Sequence, residues 1–181
     1  LIPPFKFIPV FERNGFINRL DAYIWEQVCI LLRQWIDSGR PVVPISVNVS
    51  RVDLADPTLP NRLEELVKKY NLDVNQKLLR LEITESAYMD NPDQLIVVVN
   101  QLRERGFVVE MDDFGSGYSS LNMLKNVPVD VLKLDMKFLS EIDQRGGSIL
   151  NSVVRMAHRL KLPIIAEGVE TDAQADYLHT M

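Results

Sequence analysis

Apolar residues recur at steps of four and three over residues 20–35, which puts Ile24, Val28, Leu31 and Trp35 on one face of a helix. Gly39 and Pro41 end that helix, and residues 42–50 read as a strand finishing in Asn48-Val49-Ser50. A second helix spans 57–70, with Leu63, Leu66 and Val67 apolar and Lys68-Lys69 well placed against its C-terminal dipole. The next strand, 78–86, ends in Glu82-Ile83-Thr84-Glu85. A helix over 93–105 follows, and Gly106 supplies the left-handed residue that helices favour just past their ends. The β-branched run that begins at Phe107 is apolar on both faces until it reaches Asp112-Asp113, so it reads as a buried parallel strand. Beyond it the pattern predicts a short helix over 119–126, a strand over 129–135, a helix over 147–160 and a strand over 163–166. A last helix starts near Thr171, which with Asp172 supplies an N-cap. The opening run Phe5 to Val10, before the Asn14-Gly15 turn signal, carries no cap and is given no element.

Strand and helix alternate throughout, the pattern of parallel strands joined by crossover helices. Five strands are expected, and each ends in a polar or charged cluster. In a doubly wound sheet the ligand gathers at one switch point, whereas a (β/α) barrel builds its site from every strand end. Because all five ends are loaded and no Gly-x-Gly-x-x-Gly turn follows the first strand, a TIM-like (β/α) barrel is the better reading. It is incomplete at about five strands, and its two unpaired edges call for cover by pairing, oligomerisation or added tails.

Composition narrows the chemistry. A chain of 181 residues, 46% hydrophobic, suffices for one domain with a sizeable core. Its net charge of −5 argues against general nucleic-acid binding through a basic surface. Cys29 stands alone in an apolar helical run and reads as a buried thiol, which excludes an intramolecular disulfide and a cysteine metal cluster. His158 and His179 lack ligand spacing, and no stretch is long and apolar enough to span a bilayer.

Adjacent carboxylates repel unless a cation lies between them, so Asp112-Asp113 points to a hard divalent ion. The competing reading is a turn capping the helix that begins near Ser119. Strand alternation puts Asn48 on the face of Ser46, Glu82 on that of Thr84, Asp112 on that of Glu110, and Lys133 on that of Val131 and Asp135. If those faces point inward, Asn48, Glu82 and Asp112 converge as oxygen ligands suited to Mg²⁺ or Mn²⁺, and Asp113 serves a second ion roughly 3.5–4 Å away. Lys133 offers a point charge to a phosphate oxygen or an attacking water, and Glu167 can accept the water's proton. Taken singly, each acid is more often a solvated loop residue; recurrence at successive strand ends is what favours a site. Arg80 and Glu110, two residues earlier on neighbouring strands, either pair one layer deeper or point outward under a helix.

The strings Phe7-Ile8-Pro9-x-x-Glu12, Asn48-Val49-Ser50, Glu82-Ile83-Thr84-Glu85-Ser86, Asp112-Asp113-Phe114-Gly115-Ser116-Gly117-Tyr118-Ser119-Ser120-Leu121, Lys133-Leu134-Asp135 and Ala166-Glu167-Gly168-Val169-Glu170-Thr171, in this order, resemble the EAL-domain phosphodiesterases across essentially the whole chain. The resemblance implies hydrolysis of cyclic dimeric GMP to linear pGpG with two Mg²⁺ or Mn²⁺ ions, and inhibition by Ca²⁺. It assigns metal to Asn48, Glu82, Asp112 and Asp113, water or phosphate to Lys133, and general base to Glu167. Glu85 matches a glutamate that anchors the loop after the acid pair, Asp135 and Glu170 match further active-site acids, and residues 114–120 match a loop tied to metal binding and homodimer contacts. The Glu-Ala-Leu tripeptide that names the family, and a closing strand with a Gln-Gly-Tyr-like segment, have no match within the chain. The expectation is therefore a single partial domain, residues 1–181, from a parent with fused sensory or cyclase domains. It is placed in the cytoplasm even if the parent is membrane-anchored, and by itself it binds metal weakly and hydrolyses little. The alternatives are a non-hydrolysing cyclic dimeric GMP receptor or protein-interaction module and, further off, another metal-dependent barrel enzyme.

Overall fold

β-branched and leucine-rich runs form the strands because each has a face that must be covered. The computed structural model describes residues 2–115, 126–135 and 144–181. Strands β1 (Ile45–Asn48), β2 (Leu79–Thr84), β3 (Val108–Phe114), β4 (Val131–Leu134) and β5 (Ile164–Ala166) lie side by side in chain order, every neighbouring pair parallel. An order that never reverses, joined by crossovers of one hand, keeps all the connecting helices on one face, as in a (β/α) barrel. Among the described residues the sheet is open, with β1 and β5 each paired on one side only.

The helices are α1 (Pro4–Asn14), α2 (Ile17–Asp37), α3 (Arg51–Leu54), α4 (Leu59–Lys69), α5 (Glu85–Asp90), α6 (Pro92–Glu104), α7 (Gln144–Leu160) and α8 (Asp172–His179). Leu79, Leu81 and Ile83 of β2, Val109 and Met111 of β3, and Leu132 and Leu134 of β4 are buried in one core with Trp25, Cys29 and Leu32 of α2, Leu63 of α4 and Leu102 of α6. Each such side chain contributes about 1.5–3 kcal/mol through burial. The alternate residues carry the polar groups: Arg80, Glu82 and Thr84 are half-buried between the buried apolar positions of β2.

Three local expectations are corrected. The buried stripe of α2 is Ile17, Asp21, Trp25, Cys29 and Leu32, while Ile24 and Leu31 are 42% and 37% exposed. Counting apolar residues passed over this stripe because a buried acid, Asp21, interrupts it. Residues 4–14 are helical, with Pro4 at the position where its missing N–H costs nothing. Short helix α3 follows β1 after two residues, and α5 follows directly on β2, so Ser86 belongs to a helix rather than to the strand end. The helix expected over 119–126 lies, except for its last residue, outside the described residues. Cys29 is fully buried, and burial pushes its thiol up to about 12. His158 and His179 are exposed on their helices. Thr171 caps α8 in a reciprocal box with Gln174.

Candidate active site

The strand ends meet at one ammonium group. Lys133 on β4 is 7% exposed, and its Nζ lies 2.6 Å from Glu82 Oε1 of β2, 3.1 Å from Asp112 Oδ1 of β3 and 2.6 Å from Glu167 Oε1, one residue past β5. Four successive strands thus each send one group to a single point. Burial works against the charge on Lys133, but the carboxylates of Glu167, Glu82 and Asp112 around its ammonium outweigh it and hold the group above its ordinary range. Glu82 is also pushed up, first by burial and then by the nearby Asp112 and Glu110 carboxylates, which together exceed the pull of Lys133.

The charges do not balance. Three carboxylates against one ammonium leave two negative charges over, the charge of one divalent cation. Asp112 Oδ1 is buried without a hydrogen bond, since its 3.1 Å approach to Lys133 lacks the alignment of one. A buried acceptor without a donor, among oxygen ligands, fits a hard ion such as Mg²⁺ or Mn²⁺. Among the described residues no three His, Cys, Asp or Glu side chains are grouped so that they alone would hold an ion. An amide oxygen such as that of Asn48 is the further donor the sequence proposes.

Asn48 ends β1, pairs in register with Glu82 and is exposed. Its backbone carbonyl accepts the Trp25 indole N–H at 2.9 Å. Asp113 is exposed and sits at φ 54°, in the left-handed region. It belongs to a bulge: Met111 pairs with Leu132 and Phe114 with Leu134, so three steps on β3 match two on β4. Met111 and Phe114 therefore both reach the helix-side core, with both aspartates between them. Pattern reading cannot see this, because strict alternation would put Phe114 on the face of Asp112.

Glu85, at the start of α5, is 5% exposed, and its Oε2 accepts the Gly115 N–H at 3.1 Å, which ties the chain after the acid pair to the end of β2. Beneath the mouth, buried Glu110 accepts Ser46 Oγ at 2.9 Å and Arg80 Nη1 at 3.1 Å, so the Arg80–Glu110 pair forms one layer deeper rather than under a helix. Asp135 is half-buried just past β4, with its N–H on the Phe114 carbonyl at 3.3 Å. Glu170 is exposed in the cap of α8, its N–H donating to Gln174 Oε1 at 2.8 Å. Neither Asp135 nor Glu170 joins the ion pairs on Lys133. Residues 116–120 of the matched loop are outside the described residues. A cavity of about 610 Å³ lies beside the rim, lined by Asn48, Thr84 and Ser86 together with Phe7, Ile8 and Glu12 of α1; sequence reading did not connect α1 to the site.

Comparison with known proteins places the chain in a family. The chain is 36% identical over 180 residues to the bifunctional diguanylate cyclase/cyclic di-GMP phosphodiesterase MucR of Pseudomonas aeruginosa, covering 98% of this chain and 26% of MucR. It is 34% identical to the cyclic di-GMP phosphodiesterase PdeR of Escherichia coli, covering 98% of this chain and 27% of PdeR. The chain thus spans about a quarter of the length of these relatives. Among solved structures, the PaMucR phosphodiesterase in complex with c-di-GMP superposes with a TM-score of 0.89 at 35% identity over 99% of this chain and 72% of that one. The FimX EAL domain, at 22% identity and a TM-score of 0.90 over 99% of this chain and 72% of that one, shares the fold. A sequence model of the EAL domain matches residues 1–181. The chain belongs to the EAL domain family.

Proposed function

We propose that this domain hydrolyses cyclic dimeric GMP to linear pGpG, and that it does so as a cytoplasmic module of a longer signalling protein. The observation that carries the reading is the single ammonium of Lys133 among three carboxylates from neighbouring strands, two positive charges short of balance. Asn48, Glu82, Asp112 and Asp113 would hold Mg²⁺ or Mn²⁺. Such ions, when bound, supply positive charge that acidifies a water and offsets the charge building on a phosphodiester. Lys133 donates to a phosphate oxygen or to the attacking water from a position fixed by Glu82 and Glu167. Glu167 is 41% exposed at its side chain and engages Lys133 through one oxygen. That placement leaves it able to take the proton of the water as the water oxygen bonds to phosphorus and the P–O bond to the 3′ oxygen breaks, the 3′ oxygen leaving to take a proton from solvent. Glu85 keeps the chain after Asp113 in place, and Asp135 and Glu170 act at the rim. The loop after Asp113 also contributes to a homodimer contact.

The test is chromatographic detection of pGpG formed from cyclic dimeric GMP, with Mg²⁺, Mn²⁺ or Ca²⁺, by the 181-residue chain and by the whole protein that carries it. Product is expected with Mg²⁺ and Mn²⁺, more from the whole protein than from the chain alone, and none with Ca²⁺, whose looser coordination positions water poorly. Tight binding of the dinucleotide with no product under Mg²⁺ would make the domain a receptor instead.

A further inference from the structure

A second buried acid cluster lies apart from Lys133. Asp53 of α3 has a side chain 0% exposed and accepts from Asn18 Nδ2 at 2.9 Å, Arg62 Nη1 at 3.3 Å and Ser50 Oγ at 2.8 Å. Asp21 of α2, 7% exposed, accepts the Ser50 N–H at 3.2 Å, so that both acids hold the same residue, Ser50. Burial first, and the neighbouring Asp53 carboxyl second, push Asp21 up to about 7. One turn along the same helix face, Trp25 donates to the Asn48 carbonyl at 2.9 Å. On the other side the Val49 N–H is held by the Glu82 carbonyl at 2.9 Å. Three consecutive residues at the end of β1 are thus fixed through their backbones, and the Asn48 side chain is what this leaves exposed at the rim.

We propose that Asp21 and Asp53 are positioning residues for Asn48, holding the turn after β1 so that its amide faces the rim where Glu82 stands. The proposal rests on the reading of Asn48 as a ligand, and its first test does not depend on that reading.

Asp21→Asn keeps an acceptor for the Ser50 N–H at nearly constant shape, whereas Asp21→Leu keeps bulk alone. In amide hydrogen exchange on the 181-residue chain, Asp21→Leu should speed Ser50 and Val49 at least tenfold, Asp21→Asn no more than twofold, and Met111 in β3 should not change in either. Unchanged exchange at Ser50, or equal acceleration at Met111, overturns the proposal. If Asp21→Leu does not fold, Ser50→Ala, which removes the hydroxyl that joins the turn to Asp53, is read in the same way.

The second test is Mn²⁺ affinity by electron paramagnetic resonance. Asp21→Leu and Asn48→Ala should each weaken it about tenfold, the lower end for loss of a group that orients a ligand, and the double variant should be no weaker than Asn48→Ala alone. Additive losses overturn the proposal. Wild-type affinity in Asn48→Ala would remove Asn48 from the ligand set and leave the exchange experiment to decide whether the acid pair orients it.

Discussion

Lys133 is the residue whose removal has two separable effects. Replacing it with Met leaves Glu82 and Asp112, with side chains 13% and 14% exposed, without their cation. Breaking a buried pair on one side costs about 3–5 kcal/mol, and partial exposure puts this case at or below the lower end. We expect Lys133→Met to lower the midpoint of thermal unfolding, to recover more of it on addition of Mn²⁺ than wild type gains, and to lose at least a hundredfold in hydrolysis. A variant as stable as wild type, with no larger response to Mn²⁺, would mean the carboxylates do not depend on that charge. Asp21 gives a pH signature. Its folded value, about 7, lies above the ordinary carboxyl value, so the folded protein binds the proton more tightly than the unfolded chain. Its contribution is complete below about pH 4, is lost as pH rises toward 7, and is flat above. Urea unfolding should show wild type losing roughly 2–3 kcal/mol more than Asp21→Asn between pH 5 and pH 8. Equal losses would show that Asp21 is not the group responsible.

At the scale of elements, β2 and β3 organise the site because each divides its residues between two duties. Leu81 and Ile83 of β2 are fully buried under the helices, while Glu82 between them reaches Lys133. Leu81→Ala should cost about 2–5 kcal/mol in denaturant unfolding, the range for a large buried aliphatic residue. A cost below about 1 kcal/mol would mean that the sheet does not need this layer. The alternation that sorts these residues was legible in the sequence because it follows from a period of two; the same period set Arg80 and Glu110 on neighbouring strands but left open whether they pair inward or point outward, which the structure decides for the pair. The bulge at Asp112-Asp113 was not legible, since it arises from the pairing of β3 with β4 and leaves no local signal beyond the two acids. The buried stripe of α2 was misplaced by one position because Asp21 serves the turn after β1, a contact 29 residues away that no hydrophobic count anticipates.

For the molecule as a whole, the sequential parallel order of the five strands is what turns scattered acids into one site. The sequence pattern supplied that order, and with it the convergence of Glu82 and Asp112; it set Asn48 beside them, where the structure brings Glu167 to the same point. It did not supply Lys133 as the point on which they converge, because which side chain reaches the centre depends on the stagger between strands. The overall charge of −5 and the unbalanced acids at the mouth both oppose an anionic dinucleotide, so binding of such a ligand requires added positive charge. The most direct measurement is therefore pGpG formation from cyclic dimeric GMP by the whole protein carrying this domain, as a function of Mg²⁺, for wild type against Glu82→Gln, which removes one negative charge at nearly constant shape. The account predicts Mg²⁺-dependent product from wild type and at least a hundredfold less from Glu82→Gln at the same Mg²⁺. Product formed equally by both, or formed by wild type without any divalent ion, would contradict it.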